Sequence, residues 1–222
     1  MTKLHYSFLL ALSTFLVPLT ANAAESLFFA REWWIEVTPE ELKEEISAGT
    51  AINDRDVNGG TPLMYAVSNT NNPEIVKVLI ESGAEVNAED EIGRTALIAA
   101  SIHNQNPEII RTLAAAGAEV NVKKVGWTPL VAAVILNQNP EVIKALLESG
   151  ASTEEKQETG ETPLMIAAKI GKDPEIIKIL LEYGADAKVK NDAGKTALDY
   201  AKDNPFISNS DAYQLLQDKT NQ

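Results

Sequence analysis

The chain has 222 residues, a formal net charge of −13, two histidines and no cysteine. The missing cysteines exclude a disulfide framework and a Cys/His zinc cluster. The acid excess, with no basic stripe, excludes a nucleic-acid surface.

Residues 1–23 predict a secretory signal peptide, with Lys3 in a basic n-region, Phe8 to Val17 as the apolar run and Ala21-Asn22-Ala23 as the cleavage site. The run is too short to span a bilayer as a helix, which needs about 20 residues. The expectation is a chain that starts at Ala24, leaves the membrane and acts in the periplasm or medium of a bacterium. The lack of any Asn-x-Ser/Thr sequon agrees with a bacterial rather than a eukaryotic exported protein.

Residues 24–55 predict an N-terminal capping unit. Thr38-Pro39-Glu40 starts its helix, and Leu27, Phe28, Phe29, Trp33, Trp34 and Ile35 precede it. These apolar side chains would cover the open end of whatever follows. The alternative is an exposed aromatic binding patch.

From residue 56 the sequence repeats. Thr61-Pro62-Leu63, Thr95-Ala96-Leu97, Thr128-Pro129-Leu130, Thr162-Pro163-Leu164 and Thr196-Ala197-Leu198 are separated by 34, 33, 34 and 34 residues. A constant period in this range signals a stacked array, a quasi-one-dimensional fold that offers a long surface. The units are 56–89, 90–122, 123–156, 157–190 and a terminal unit at 191–222.

Each unit predicts two helices. In the first, Thr is the N-cap and Pro or Ala follows at N1. The second starts at Asn72-Pro73-Glu74, Asn106-Pro107-Glu108, Asn139-Pro140-Glu141 or Asp173-Pro174-Glu175, with Glu meeting the positive helix end. Apolar residues then recur at i, i+3 and i+4. Gly83, Gly117, Gly150 and Gly184 stop these helices at C′. At about eight to ten residues each, such helices form only by stacking.

Quoted in full, Gly126-Trp127-Thr128-Pro129-Leu130-Val131-Ala132-Ala133 followed by Ala145-Leu146-Leu147-Glu148-Ser149-Gly150-Ala151 resembles an ankyrin repeat. Gly83-Ala84-Glu85-Val86-Asn87 and Gly117-Ala118-Glu119-Val120-Asn121 complete the resemblance. It covers about residues 30–220. It implies an all-α repeat fold, an α-solenoid of helix-loop-helix units joined by β-hairpin fingers, acting as a monomeric, non-enzymatic protein-binding scaffold. A tetratricopeptide reading fails, because the chain has no Trp-x-x-Leu-Gly pattern. Two departures stand out. The usual His after Thr-Pro-Leu is replaced by Met64, Ile98, Val131, Met165 and Asp199. The third finger is one residue short.

Catalytic and cofactor chemistry has no candidate. His103 is the single histidine beyond the predicted signal, there is no phosphate-binding Gly loop, and no nucleophile elbow occurs. No cofactor is expected. Glu89-Asp90-Glu91 reads as an ordinary acidic finger, with weak Ca²⁺ binding as the alternative. The charge is uneven: residues 24–120 hold 17 acids and 6 bases, residues 121–222 hold 15 and 12. Such a field keeps the chain soluble and steers a basic partner.

Carrying the family's binding face over by register gives fingertip and first-helix positions. They are Ile92, Arg94, Ile102 and His103 in the second unit, Lys124, Val125, Trp127, Ile135 and Leu136 in the third, and Lys156, Lys169 and Ile170 in the fourth. Ile102, Trp127, Ile135, Leu136 and Ile170 are apolar where water-facing residues belong. Contact with another protein and packing under the inter-helix loop are both open readings of this stripe.

Overall fold

The computed structural model describes residues 27–124 and 126–221. The predicted signal peptide at 1–23 and Val125 lie outside the described residues. Leu27–Phe29 forms a 3-10 turn, followed by α1 (Arg31–Glu36) and α2 (Pro39–Ser47). Paired helices follow: α3 (Pro62–Asn69) with α4 (Pro73–Glu81), and α5 (Ala96–His103) with α6 (Pro107–Ala115). Next come α7 (Pro129–Ala132) with α8 (Pro140–Glu148), α9 (Pro163–Ile170) with α10 (Pro174–Glu182), and α11 (Ala197–Ala201) with α12 (Asp211–Asn221). First helices stack on first helices and second on second. The result is a two-layer array in which α1 and α2 take the same two places in the cap.

The helix starts work through their side chains. Thr61, Thr95, Thr128 and Thr162 accept the N–H of Met64, Ile98, Val131 and Met165. Asn72, Asn106, Asn139 and Asp173 accept from the N–H two residues on, at 2.9–3.0 Å. At the far end Gly83 takes φ 98°, and the Ala84 N–H reaches back to the Leu79 carbonyl at 3.0 Å. That geometry requires the left-handed region, where Gly carries no Cβ penalty. Between the layers one continuous core runs through the array. Leu63, Leu97, Leu130 and Leu164 line it from the first helices, and Leu79, Leu113, Leu146 and Leu180 from the second, all fully buried.

The cap aromatics pack inward. Phe28 and Trp34 are fully buried, Trp33 stands edge-on to Trp34 at 4.7 Å, and Phe29 lies 5.4 Å from Tyr65 of α3. The Trp34 indole N–H donates to the Phe28 carbonyl at 2.8 Å. Ile35 is the exception, 60% exposed. Its place on α1 turns it away from α3. At the other end, Leu216 is buried and Tyr213 and Leu215 are half-buried.

The fingers are not β-hairpin ladders: among the described residues there is no strand, only an isolated bridge between Lys124 and Trp127. Each finger is a single tight turn. Asp56 N–H donates to the Gly60 carbonyl and Gly59 N–H to the Asp56 carbonyl, both at 3.0 Å. The same pair of bonds recurs at Asp90, Gln157 and Asn191. Before each turn the chain reaches the next unit, through Asn53, Asn87, Asn121 and Glu154; after it the chain enters its own first helix, so no second rung forms. The shortened third finger closes across two residues, which produces the bridge.

Asparagines stitch unit to unit. Asn53, Asn87 and Asn121 each donate to the carbonyl of a helix-ending glycine in the next unit, Gly83, Gly117 and Gly150, at 2.9 Å. Buried Asn104 donates to the Val67 and Thr70 carbonyls, and buried Asn204 to those of Ala168 and Gly171. These two asparagines of the inter-helix loops thus each tie a first helix to the one before it.

The third unit departs once more. Where Ala66, Ala100 and Ala167 accept an ordinary helical bond from four residues on, Ala133 accepts from Gln138, five residues on, at 2.8 Å. Ala133–Asn137 is therefore a π turn, and it leaves Gln138 at φ 56°.

Candidate functional site

Fingers and first helices share one face of the array, which we call the inner face. Near its N-terminal end a groove of about 480 Å³ opens between the cap and the first two units. Arg31 of α1 faces it from one side. Tyr65, Ser68 and Asn69 of α3 form its floor with His103 of α5, and Asp56, Asp90, Glu91, Ile92 and Arg94 come from the fingers.

The acids at the base of this groove are tied inward. Asp56 accepts the Tyr65 hydroxyl at 2.6 Å and the N–H groups of Gly60 and Asn58 at 2.7 and 2.8 Å. Burial pushes its carboxyl up, but those three donors outweigh it and hold the group below the usual carboxylate range. Asp90 accepts the N–H of Ile92 and Arg94 and, at 2.7 Å, the Arg94 guanidinium Nε. Its side chain is almost wholly buried, whereas that of Arg94 is 43% exposed. His103 is exposed on the groove wall; desolvation there, then Arg94 and Arg31, push its imidazole below its ordinary value. At neutral pH it is neutral.

The groove gathers Ile92, Arg94 and His103 from the sequence-derived set. It also contains Arg31, Asp56 and Tyr65, which that set omits. A register signal could have found two of them. Asp56, five residues before its Thr, aligns with Asp90, Gln157 and Asn191; Tyr65, four residues after, aligns with Tyr200.

The remaining candidates lie further along the inner face. Ile102 is half-buried, Trp127 and Ile135 are half-buried against the core, and Leu136 and Ile170 are 51% and 41% exposed. Lys124 pairs with Glu89 at 3.0 Å. Lys169 pairs with Glu161 at 2.9 Å and sits 5.2 Å from the Tyr200 ring centre. Lys156 is exposed and its carbonyl accepts the Lys123 ammonium at 2.6 Å. Val125 lies outside the described residues. The apolar stripe is thus divided. Trp127 and Ile135 spend much of their surface on the core, while Leu136 and Ile170 present theirs to solvent at the same step of neighbouring first helices. No helix among the described residues is long and apolar enough to cross a membrane.

A family model described as ankyrin repeats (3 copies) matches residues 34–90, 63–157 and 130–222. Comparison with curated proteins gives no match.

Proposed function

We propose that this chain, which belongs to the ankyrin-repeat family, is an exported adaptor or chaperone-like partner of another protein. Ankyrin repeats are generally non-enzymatic protein–protein interaction modules. The observation that carries the reading to this chain is the pair Leu136 and Ile170, aliphatic side chains exposed on the inner face. Exposed aliphatics at matching positions of neighbouring units have the composition of a contact surface.

A second reading has its own support. The acids concentrate toward residues 24–120, which suits an inhibitor or immunity protein that occludes a basic enzyme or toxin. The two separate in one assay. An inhibitor abolishes its partner's activity at a one-to-one ratio, and an adaptor leaves it intact.

The test is affinity capture from a periplasmic extract or culture medium, followed by titration of the purified partner. Leu136→Glu should weaken binding by about 2 kcal/mol or more, with unchanged far-UV circular dichroism. Glu175→Ala, on the outer layer at the start of α10, should leave binding alone. Unchanged affinity in Leu136→Glu places the contact elsewhere. Export is tested by mass spectrometry: the native protein should begin at Ala24, and retention of Met1 would sink that part of the reading.

A further inference from the structure

We infer that the groove between the cap and the first two units binds an acidic side chain of a partner peptide, held between the Arg31 and Arg94 guanidiniums beside His103. The inference rests on the reading of the inner face as the partner-binding face and names the chemistry of one part of it.

The groove lining holds two guanidiniums, Arg31 and Arg94, and three carboxylates, Asp56, Asp90 and Glu91; what sets it apart from the acidic chain at large is that two of those carboxylates are tied inward. Asp56 and Asp90 turn their oxygens inward to the Tyr65 hydroxyl, finger N–H groups and Arg94 Nε. Arg94 keeps its two terminal nitrogens for a ligand, since among the described residues only its Nε is engaged by a side chain. Arg31 makes no ion pair or side-chain hydrogen bond among the described residues and stands in the first turn of α1. A cation in a helix's first turn opposes the helix dipole, so helix stability does not account for it. Glu91 is the competing anion at the rim. A carboxylate fits two guanidiniums through charge-assisted, forked hydrogen bonds. The groove is an open trough on a scaffold surface, the form that takes a side chain of an extended segment.

His103 makes the site pH-dependent. No titratable group shares α5 with it. The charged and titratable groups around it are Arg31 from α1, Asp90, Glu91 and Arg94 from the second finger, and Asp56 and Tyr65 from the first unit. The two guanidiniums add to desolvation in keeping the imidazole neutral. A bound carboxylate offsets them and raises the imidazole pKa, so binding takes up a proton. Affinity therefore rises as pH falls through the His103 titration, and is lost as the ligand carboxyl protonates near about 4.

The experiment follows the His103 ring proton by NMR in the full chain, with His103→Gln to identify the signal. The probe is a terminally blocked peptide of alternating Ala and Glu. The Ala/Gln isostere and sodium acetate at equal carboxylate concentration are the comparison arms. The Ala/Glu peptide should shift the resonance saturably and raise its pKa, and the Ala/Gln peptide should do neither. Arg31→Glu should weaken the response about tenfold or more with a melting temperature unchanged or slightly raised, since Arg31 holds nothing internally and a Glu in the first turn of α1 suits the helix dipole. No saturable shift, an equal shift with Ala/Gln, or indifference to Arg31→Glu overturns the inference. An equal effect from acetate overturns the peptide assignment and leaves a free-anion site. None of these outcomes touches the Leu136→Glu result, which alone decides whether the inner face binds a partner.

Discussion

Asp56 accepts hydrogen bonds from a hydroxyl and two backbone N–H groups, and through Tyr65 it fastens the first finger to α3. Tyr65→Phe removes the hydroxyl and leaves a partly buried carboxylate short of one donor. Hydrogen bonds to charged groups contribute about 1.5–3 kcal/mol, and partial exposure of this pair places the expected loss near about 1–2 kcal/mol. The sign with pH follows from the depressed Asp56 pKa. Its contribution is present above the unfolded carboxyl value of about 3.9 and is lost as pH falls through the folded value. The deficit of Tyr65→Phe, measured by urea unfolding, should thus be largest at neutral pH and shrink below about pH 4. A deficit independent of pH would mean that the ring's packing, not its bond to Asp56, is what the substitution disturbs. At this scale the caps were legible in the sequence, because Thr-Pro and Asn-Pro-Glu have one local meaning. The Tyr65–Asp56 tie was not, because its two ends lie on different elements and only the fold brings them together.

At the scale of the element, the asparagine stitches set the spacing between neighbouring units. Asn53, Asn87 and Asn121 each donate to a helix-ending carbonyl and accept an N–H from the next unit, those of Glu85, Glu119 and Ser152. Glu154 stands in the corresponding place of the third unit and accepts the Asp186 N–H at 3.1 Å. A carboxylate cannot donate, so the reach to Gly184 is missing by chemistry. Glu154→Asn should restore it and stabilise the chain by about 0.5–1.5 kcal/mol. Hydrogen exchange should show the gain in α10 to α12 rather than in the cap. Loss of stability would show that the Asn pattern does not transfer to this joint. The sequence displayed the Asn residues but not this role, since a side-chain bond across about one period has no local signature. The π turn at Ala133–Asn137 was equally hidden: the third inter-helix loop has the same length as its neighbours, and the change lies only in which N–H the Ala133 carbonyl accepts. The fingers were legible only through the ankyrin resemblance, which implied β-hairpins. Their expected ladders did not form because each finger closes in a single tight turn, and only the third, with Lys124 and Trp127 exchanging both bonds, makes even an isolated bridge.

The whole molecule was legible because its period is written five times in the sequence; the partner-binding face was not, because exposed side chains escape the period. Leu136 and Trp127 were equal candidates by register. Only packing separates them, with Trp127 leaning on the core and Leu136 turned to solvent. The same one-dimensional build governs stability. Leu146 of α8 is fully buried, and α8 packs between α6 and α10. Leu146→Ala should therefore cost about 2–5 kcal/mol through lost transfer energy and a cavity. In a globular core such a loss is shared by every element. In a stack each unit touches only its neighbours, so α8 should lose protection first, then α6 and α10, while α1 and α12 keep theirs longest. Amide hydrogen exchange on the variant resolves this by residue. Protection lost evenly from α1 to α12 would mean that the array unfolds as one cooperative block, with coupling between units strong enough to override their individual stabilities.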